Sequence, residues 1–187
     1  MQEIVYLHGF ASSSRSEKAV LTEQYFQAIP KVRFRALDLP YTPNEAMATL
    51  EIMLAEPPLA IIGSSLGGFL ATVFAERLGC RACLINPAVA PHKVLKNYLG
   101  SYDHPVLQQR YQVSAEHMPL LKALMPESLQ NASQYFVLLQ TGDEVLDYRD
   151  AVQYYQGANV QLVTGGDHSF VGYQHYLPQI AQFCLQA

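Results

Sequence analysis

Cysteine is scarce in this chain of 187 residues, which has three: Cys80, Cys83 and Cys184. An odd number argues against a disulfide framework, and a structural zinc site would need a second ligand pair that is not evident. Cys80 and Cys83 do form a CxxC, but Cys80 follows Gly79 at the end of a predicted helix. A redox CxxC places its first thiol at a helix N-terminus, where the dipole favours the thiolate. The pattern therefore predicts reduced, inert thiols. Charge is sparse too: Asp, Glu, Lys and Arg make up 15% of the residues, and the net charge is −4. The cations are scattered, so no basic footprint for nucleic acid or an anionic membrane is present. No apolar run approaches the roughly 20 residues that span a bilayer. The opening MQEIVYLHGF lacks the basic region and cleavage site of a signal peptide, and its apolar run reads as a strand. Repeats and low-complexity tracts are missing as well. A cytoplasmic protein of one domain over residues 1–187, acting on a small molecule, is expected; its oligomeric state is left open.

What the chain does have is 50% hydrophobic residues, enough for a full core. Strand and helix signals alternate. IVYL (4–7), residues 32–37, LAIIG (59–63), RACLIN (81–86), YFVLLQ (135–140) and NVQLV (159–163) read as strands. Helical spacing covers 14–28, 44–55, 66–78 and a stretch near 147–155. A terminal helix over 172–185 holds Pro178 in its early part or kinks there. Ser14 and Glu17 form an S-x-x-E capping box at the first helix. The continuous apolar strands and the alternation predict an α/β fold: a mainly parallel sheet of about six strands with helices on both faces. Only residues 88–134 break the rhythm. That segment is rich in Tyr, His, Pro and Leu and is expected to form a lid-like helical excursion over one sheet edge.

In such a sheet, sites form at the carboxyl ends of the strands. IIGSSLGGFL (61–70) is a strand, a very short turn and a helix, and Gly63, Ser65 and Gly67 fit G-x-S-x-G. A turn that sharp strains its central residue and exposes its side chain, and crowding excludes a Cβ two residues to either side. Ser65, not Ser64, is the candidate nucleophile. The stretch lacks the Lys of a phosphate-binding P-loop and does not fit G-x-G-x-x-G. A nucleophilic serine needs a base, and the base needs an orienting acid. Asp143 follows the strand YFVLLQ, with Glu144 and Asp147 as rivals; Asp147 suits a helix start. His168 follows NVQLV in a glycine loop. Its competitors are His8, His92, His104, His117 and His175, of which His8 suits bracing its own loop and the three at 92–117 suit a surface or lid. LHGF (7–10) follows the first strand, so the Phe10 N–H joins the Leu66 N–H as a candidate oxyanion hole.

Several pieces together resemble the alpha/beta-hydrolase superfamily, and within it the YqiA-type small bacterial esterases. They are YLHGF, S-x-K at 16–18, GSSLGGF, INPAV at 85–89, NYLG at 97–100, LLQTGDEVLDYR at 138–149 and GGDHSF. They run nearly the whole length. The resemblance implies a minimal hydrolase fold and esterase activity on short acyl esters, extending to acyl-CoA thioesters, without metal or cofactor. It implies Ser65 as nucleophile, Asp143 as acid and His168 as base. Asp167 departs from the pattern and puts a carboxylate beside the base. A ligand-binding protein or an acyltransferase with a retained triad is the alternative. Ser12, Ser13, Ser14, Arg15 and Lys18 cluster near the predicted site; helix capping and a solvated face are favoured there over a cradle for coenzyme A phosphates. Asp38 suits bracing a neighbouring loop. Tyr41, Tyr98, Tyr102, Tyr111 and Tyr173 are candidates to line an acyl pocket.

Overall fold

The structure is a computed structural model that describes residues 2–104 and 108–186. The first half alternates strictly: β1 (Gln2–Leu7), α1 (Glu17–Gln27), β2 (Val32–Leu37), α2 (Pro43–Met53), β3 (Ala60–Ser64), α3 (Leu66–Leu78) and β4 (Arg81–Ile85). An excursion follows, with α4 (Pro91–Leu95), β5 (Gly100–Asp103), β6 (Arg110–Val113) and α5 (His117–Leu124). β7 (Tyr135–Gln140), α6 (Tyr148–Tyr154), β8 (Asn159–Val163) and α7 (Leu177–Cys184) complete the order. Six strands form one parallel sheet in the order β2-β1-β3-β4-β7-β8.

The central strands are apolar on both faces because both are covered. Val5 and Leu7 of β1, Leu84 of β4 and Val137 of β7 pack with α2, α3 and α6. Their neighbours Ile4, Tyr6, Ile85 and Leu138 point the other way, into the layer of α1 and α7. A strand turns successive side chains to opposite faces, so an unbroken apolar run fills both layers at once.

Three local expectations need correction. Residues 88–134 are not wholly helical: β5 and β6 pair antiparallel, with Tyr102 opposite Tyr111. In β6, Arg110 and Gln112 are exposed while Tyr111 and Val113 are buried. Four residues of alternation were too few to register in the sequence. Tertiary stacking supports them, since the Tyr111 ring lies 4.1 Å from that of Tyr41 and 5.5 Å from that of Tyr102. Ser14 does not cap α1, whose N-cap is Ser16. Its N–H and hydroxyl instead donate to the Asp38 carboxylate at 2.7 and 3.0 Å, tying the loop after β1 to the loop after β2. The last helix is divided: Tyr173–Tyr176 is a 3-10 turn and α7 begins at Leu177. Pro178 then lies in the first turn of α7, where a missing N–H breaks no intrahelical bond.

All three cysteines are free and buried. Gly79 ends α3 with φ 66°, in the left-handed conformation, so Cys80 lies beyond the negative end of the helix dipole. Burial pushes the Cys80 thiol up to about 11 and that of Cys184 up to about 12. Cys83, also raised by burial, lies in the same layer as Cys184. These thiols hold their protons in the folded state at a pH where the unfolded chain, titrating near about 8.5, loses them. Stability is therefore complete below about pH 8.5 and falls as pH rises towards 11. Urea titrations at increasing pH will show that decline, and the native protein will resist iodoacetamide at neutral pH. Rapid alkylation of the folded chain would contradict the inert-thiol assignment.

Candidate active site

Ser65 stands between β3 and α3 with φ 55° and ψ −119°. A non-glycine residue there costs about 1–3 kcal/mol and persists only where its surroundings hold it. Its N–H donates to the Ile85 carbonyl at 3.0 Å, and its own carbonyl accepts from the N–H groups of Gly68 and Ala88 at 2.9 and 3.1 Å. The flanking glycines allow the close approach. A Cβ on Gly63 would run into the Gly67 carbonyl, and one on Gly67 into the Leu7 carbonyl of β1.

Three strand ends bring three side chains together. Asp143 lies just past β7, and its side chain is 2% exposed. Oδ1 accepts from the N–H groups of Val145 and Leu146 at 2.9 and 2.8 Å. The carboxylate also faces His168 Nδ1, at 2.8 Å from Oδ2 and 3.0 Å from Oδ1. A carboxylate only accepts, so Nδ1 carries the proton and Nε2 presents a lone pair. Nε2 is 2.9 Å from Ser65 Oγ. The serine hydroxyl thus donates to an imidazole whose tautomer and orientation are fixed from behind. Such a group can take a proton as the oxygen attacks an electrophile.

The loop after β1 lies alongside: a Cβ on Gly9 would come within 3.3 Å of Ser65 Cβ. Among the described residues, neither the Phe10 nor the Leu66 N–H has a hydrogen-bond partner. His8 braces this loop, its Nδ1 donating to the Gly9 carbonyl at 2.8 Å and its Nε2 accepting from the Leu39 N–H at 3.1 Å. Burial lowers the His8 pKa, in keeping with a neutral ring. A cavity of about 200 Å³ opens on Ser65 and His168, walled by Phe10, Leu66, Pro91, Leu95 and Tyr98. A larger groove of about 680 Å³ beside Tyr41 and Tyr111 contains none of the three linked side chains. The chemistry assigns the smaller one.

The rival residues have other partners. Asp147 caps α6, accepting from the Arg149 N–H. The Glu144 carboxylate accepts from the His168 main-chain N–H at 3.0 Å. The Asp167 carboxylate accepts from the Ser169 hydroxyl at 2.5 Å. In the serine cluster, Ser13 Oγ accepts from the Arg15 N–H, and Lys18 Nζ donates to the Ser169 carbonyl at 2.7 Å. His104, expected on a surface or lid, is buried in the excursion, and its Nε2 contacts the Ser12 carbonyl at 2.9 Å. His117 Nδ1 accepts from the Ser114 N–H, His92 lies on α4, and His175 is exposed beside Gln174. Of the five tyrosines, only Tyr98 reaches the cavity at Ser65. Tyr41, Tyr102 and Tyr111 stack under the β5–β6 hairpin, and the Tyr173 hydroxyl bonds Thr22 in the other layer. Sequence reasoning missed Asn86 and Gln140, each 2% exposed at a strand end beside the His168 loop. A polar residue ending an otherwise apolar strand was the available signal. Among the described residues, no group of three or more His, Cys, Asp and Glu side chains could hold a metal ion. No described helix is long and apolar enough to cross a membrane.

Residues 3–185 match the uncharacterised protein family UPF0227, and the chain belongs to that family. Solved structures share its architecture. A putative hydrolase from Agrobacterium vitis S4 is 15% identical with a TM-score of 0.72, over 99% of this chain and 88% of that one. Alpha/beta hydrolase domain-containing protein 10 from mouse is 18% identical with a TM-score of 0.70, over 96% of this chain and 88% of that one. Est1E from Butyrivibrio proteoclasticus, solved with ferulic acid bound, is 14% identical with a TM-score of 0.67, over 99% of this chain and 88% of that one. At these identities the likeness is one of fold, and the fold is that of the alpha/beta hydrolases.

The crowding at the Ser65 turn can be tested directly. Gly67→Ala forces a methyl group against the β1 main chain and will cost about 1–3 kcal/mol or more by urea denaturation. A variant as stable as wild type would mean that the turn is looser than its geometry.

Proposed function

We propose that this member of UPF0227 is a serine-dependent hydrolase of carboxylic esters and acyl thioesters that works through an acyl-enzyme. The observation that carries the reading is His168 bridging Ser65 Oγ at 2.9 Å and the Asp143 carboxylate at 2.8 Å. Ser65 Oγ attacks the acyl carbon as Nε2 takes its proton. Asp143 holds the imidazole by Nδ1 and stabilises its charged form. The N–H groups of Phe10 and Leu66, both without partners among the described residues, donate to the developing oxyanion. The imidazolium then returns its proton to the leaving alcohol or thiol. A water activated by the same Nε2 attacks the acyl-Ser65 carbonyl, Ser65 departs with a proton from the imidazolium, and the acid is released.

The cavity supports a short, uncharged acyl group. Its volume of about 200 Å³ is below the range of about 300–1,000 Å³ typical of ligand pockets, and Phe10, Leu66, Leu95 and Leu146 on its wall are apolar. The wall formed by Pro91, Leu95 and Tyr98 comes from the excursion after β4, which in this reading limits acyl length.

The first test is intact-mass measurement after treatment with a fluorophosphonate. Wild type will gain one adduct and Ser65→Ala none; an adduct on the variant, or none on folded wild type, would sink the assignment. Asp143→Asn leaves the fold in place but offers an amide to Nδ1, and kcat for p-nitrophenyl acetate will fall by about 10⁴-fold.

A further inference from the structure

The segment that carries His168 has little structure of its own. Gly165, Gly166, Phe170 and Gly172 all have positive φ, and the Phe170 N–H to Asp167 carbonyl bond at 3.1 Å is the only backbone bond within 167–171. Its shape comes from two buried amide side chains on adjacent strands of the sheet. Asn86 follows β4 and Gln140 ends β7, and the Asn86 N–H donates to the Leu138 carbonyl at 2.9 Å. Asn86 Oδ1 accepts from the Gln140 N–H at 2.9 Å. Asn86 Nδ2 donates to the carbonyls of Asp167 and His168 at 3.0 and 3.2 Å. Gln140 Oε1 accepts from the N–H groups of Asp167 and Val171 at 3.1 and 2.9 Å, and its Nε2 donates to the Val171 carbonyl at 2.8 Å. The fit is close enough that a Cβ on Gly166 would overlap the Gln140 amide.

We propose that Asn86 and Gln140 are positioning residues for His168, clamping the main chain on both sides of it so that the imidazole spans Asp143 and Ser65. The proposal rests on the hydrolase reading for its consequence in catalysis. An amide is required at both places because each side chain must donate and accept at once. A carboxylate at Gln140 would set an oxygen against the Val171 carbonyl, and one at Asn86 would face two carbonyls. An imidazole that must keep bonds of 2.8 and 2.9 Å on opposite sides tolerates little displacement. A misplacement of about 1 Å costs about 100-fold in rate. Glu144 and Lys18 hold the same segment, but from its exposed side and by one bond each.

Three measurements test the clamp, and the first two need no turnover. In wild type, the Asp167 and Val171 amides will be protected from hydrogen exchange although they lie outside regular structure; exchange at the rate of an open loop would overturn the proposal. Proton NMR will show the His168 Nδ1–H signal at low field, held by Asp143. In Gln140→Glu and Asn86→Asp, with circular dichroism matching wild type, that signal will broaden or vanish. For p-nitrophenyl acetate, kcat will fall by about 100-fold with KM within about twofold. A folded variant that keeps both the signal and kcat would overturn the clamp; loss of stability without loss of either would assign these residues to folding alone. If the carboxylate variants do not fold, the wild-type exchange result decides. An inactive wild type whose Nδ1–H signal disappears in Gln140→Glu would overturn the hydrolase reading and still bear out the clamp.

Discussion

The turn between β3 and α3 has no slack, and much of the molecule is arranged around that fact. One residue, Ser65, joins strand to helix in a backbone conformation that L-residues avoid. It is held by main-chain bonds to the end of β4 and to Ala88 beyond it, and by glycine contacts with β1 and within α3. The turn therefore needs β1 and β4 already in place on either side of β3. Central position in a parallel sheet supplies both neighbours. The sheet order β2-β1-β3-β4-β7-β8 is in this sense the support for one strained serine.

The same edge of the sheet solves a second problem. Loops that leave the strand ends carry polar main-chain groups into a half-buried space, where each unpaired group is costly. Here side chains supply the partners. Asp38 accepts from Ser14, His8 from Leu39 and Asp143 from Val145 and Leu146, while Asn86 donates to the His168 loop and Gln140 accepts from it. The residues proposed to react are thus embedded in a ring of loops braced by side chains, with the Phe10 and Leu66 N–H groups left without partners among the described residues. Rigid loops are what a relay of two hydrogen bonds through one imidazole requires.

The excursion after β4 is built differently. Its helices and hairpin rest on the loops after β1 and β2 and on α2 through aromatic and apolar contact, with Tyr111 against Phe10 and Tyr41 and with Leu95 and Leu121 in the core. Non-directional packing of this kind accommodates changes of side chain more readily than a hydrogen-bonded turn does. The division is physical: directional bonds fix the groups proposed to react, and apolar packing shapes the cavity beside them.

Sequence alone determined the features that depend on local or periodic physics. Alternating apolar runs gave the six parallel strands, since a strand buried on both faces must be apolar throughout. The spacing of Gly63, Ser65 and Gly67 marked the strained turn, because only glycine fits where main chains touch. The placement of Asp143 and His168 beyond the ends of β7 and β8 was legible because each follows an apolar run that reads as a strand. Only the tertiary structure decided the rest. The β5–β6 hairpin depends on Tyr41, remote in the chain, so four alternating residues did not reveal it. Ser14 looked like a helix cap because Glu17 stands three residues on, but Asp38, 24 residues away, offered two acceptors instead. Asn86 and Gln140 stand within the pieces INPAV and LLQTGDEVLDYR, but nothing local marked what they bond; their partners lie 81 and 27 residues away at Asp167 and meet them only when β4, β7 and β8 stand side by side. Periodicity reports which face a residue presents, whereas a long-range hydrogen bond exists only once the chain has brought both ends together.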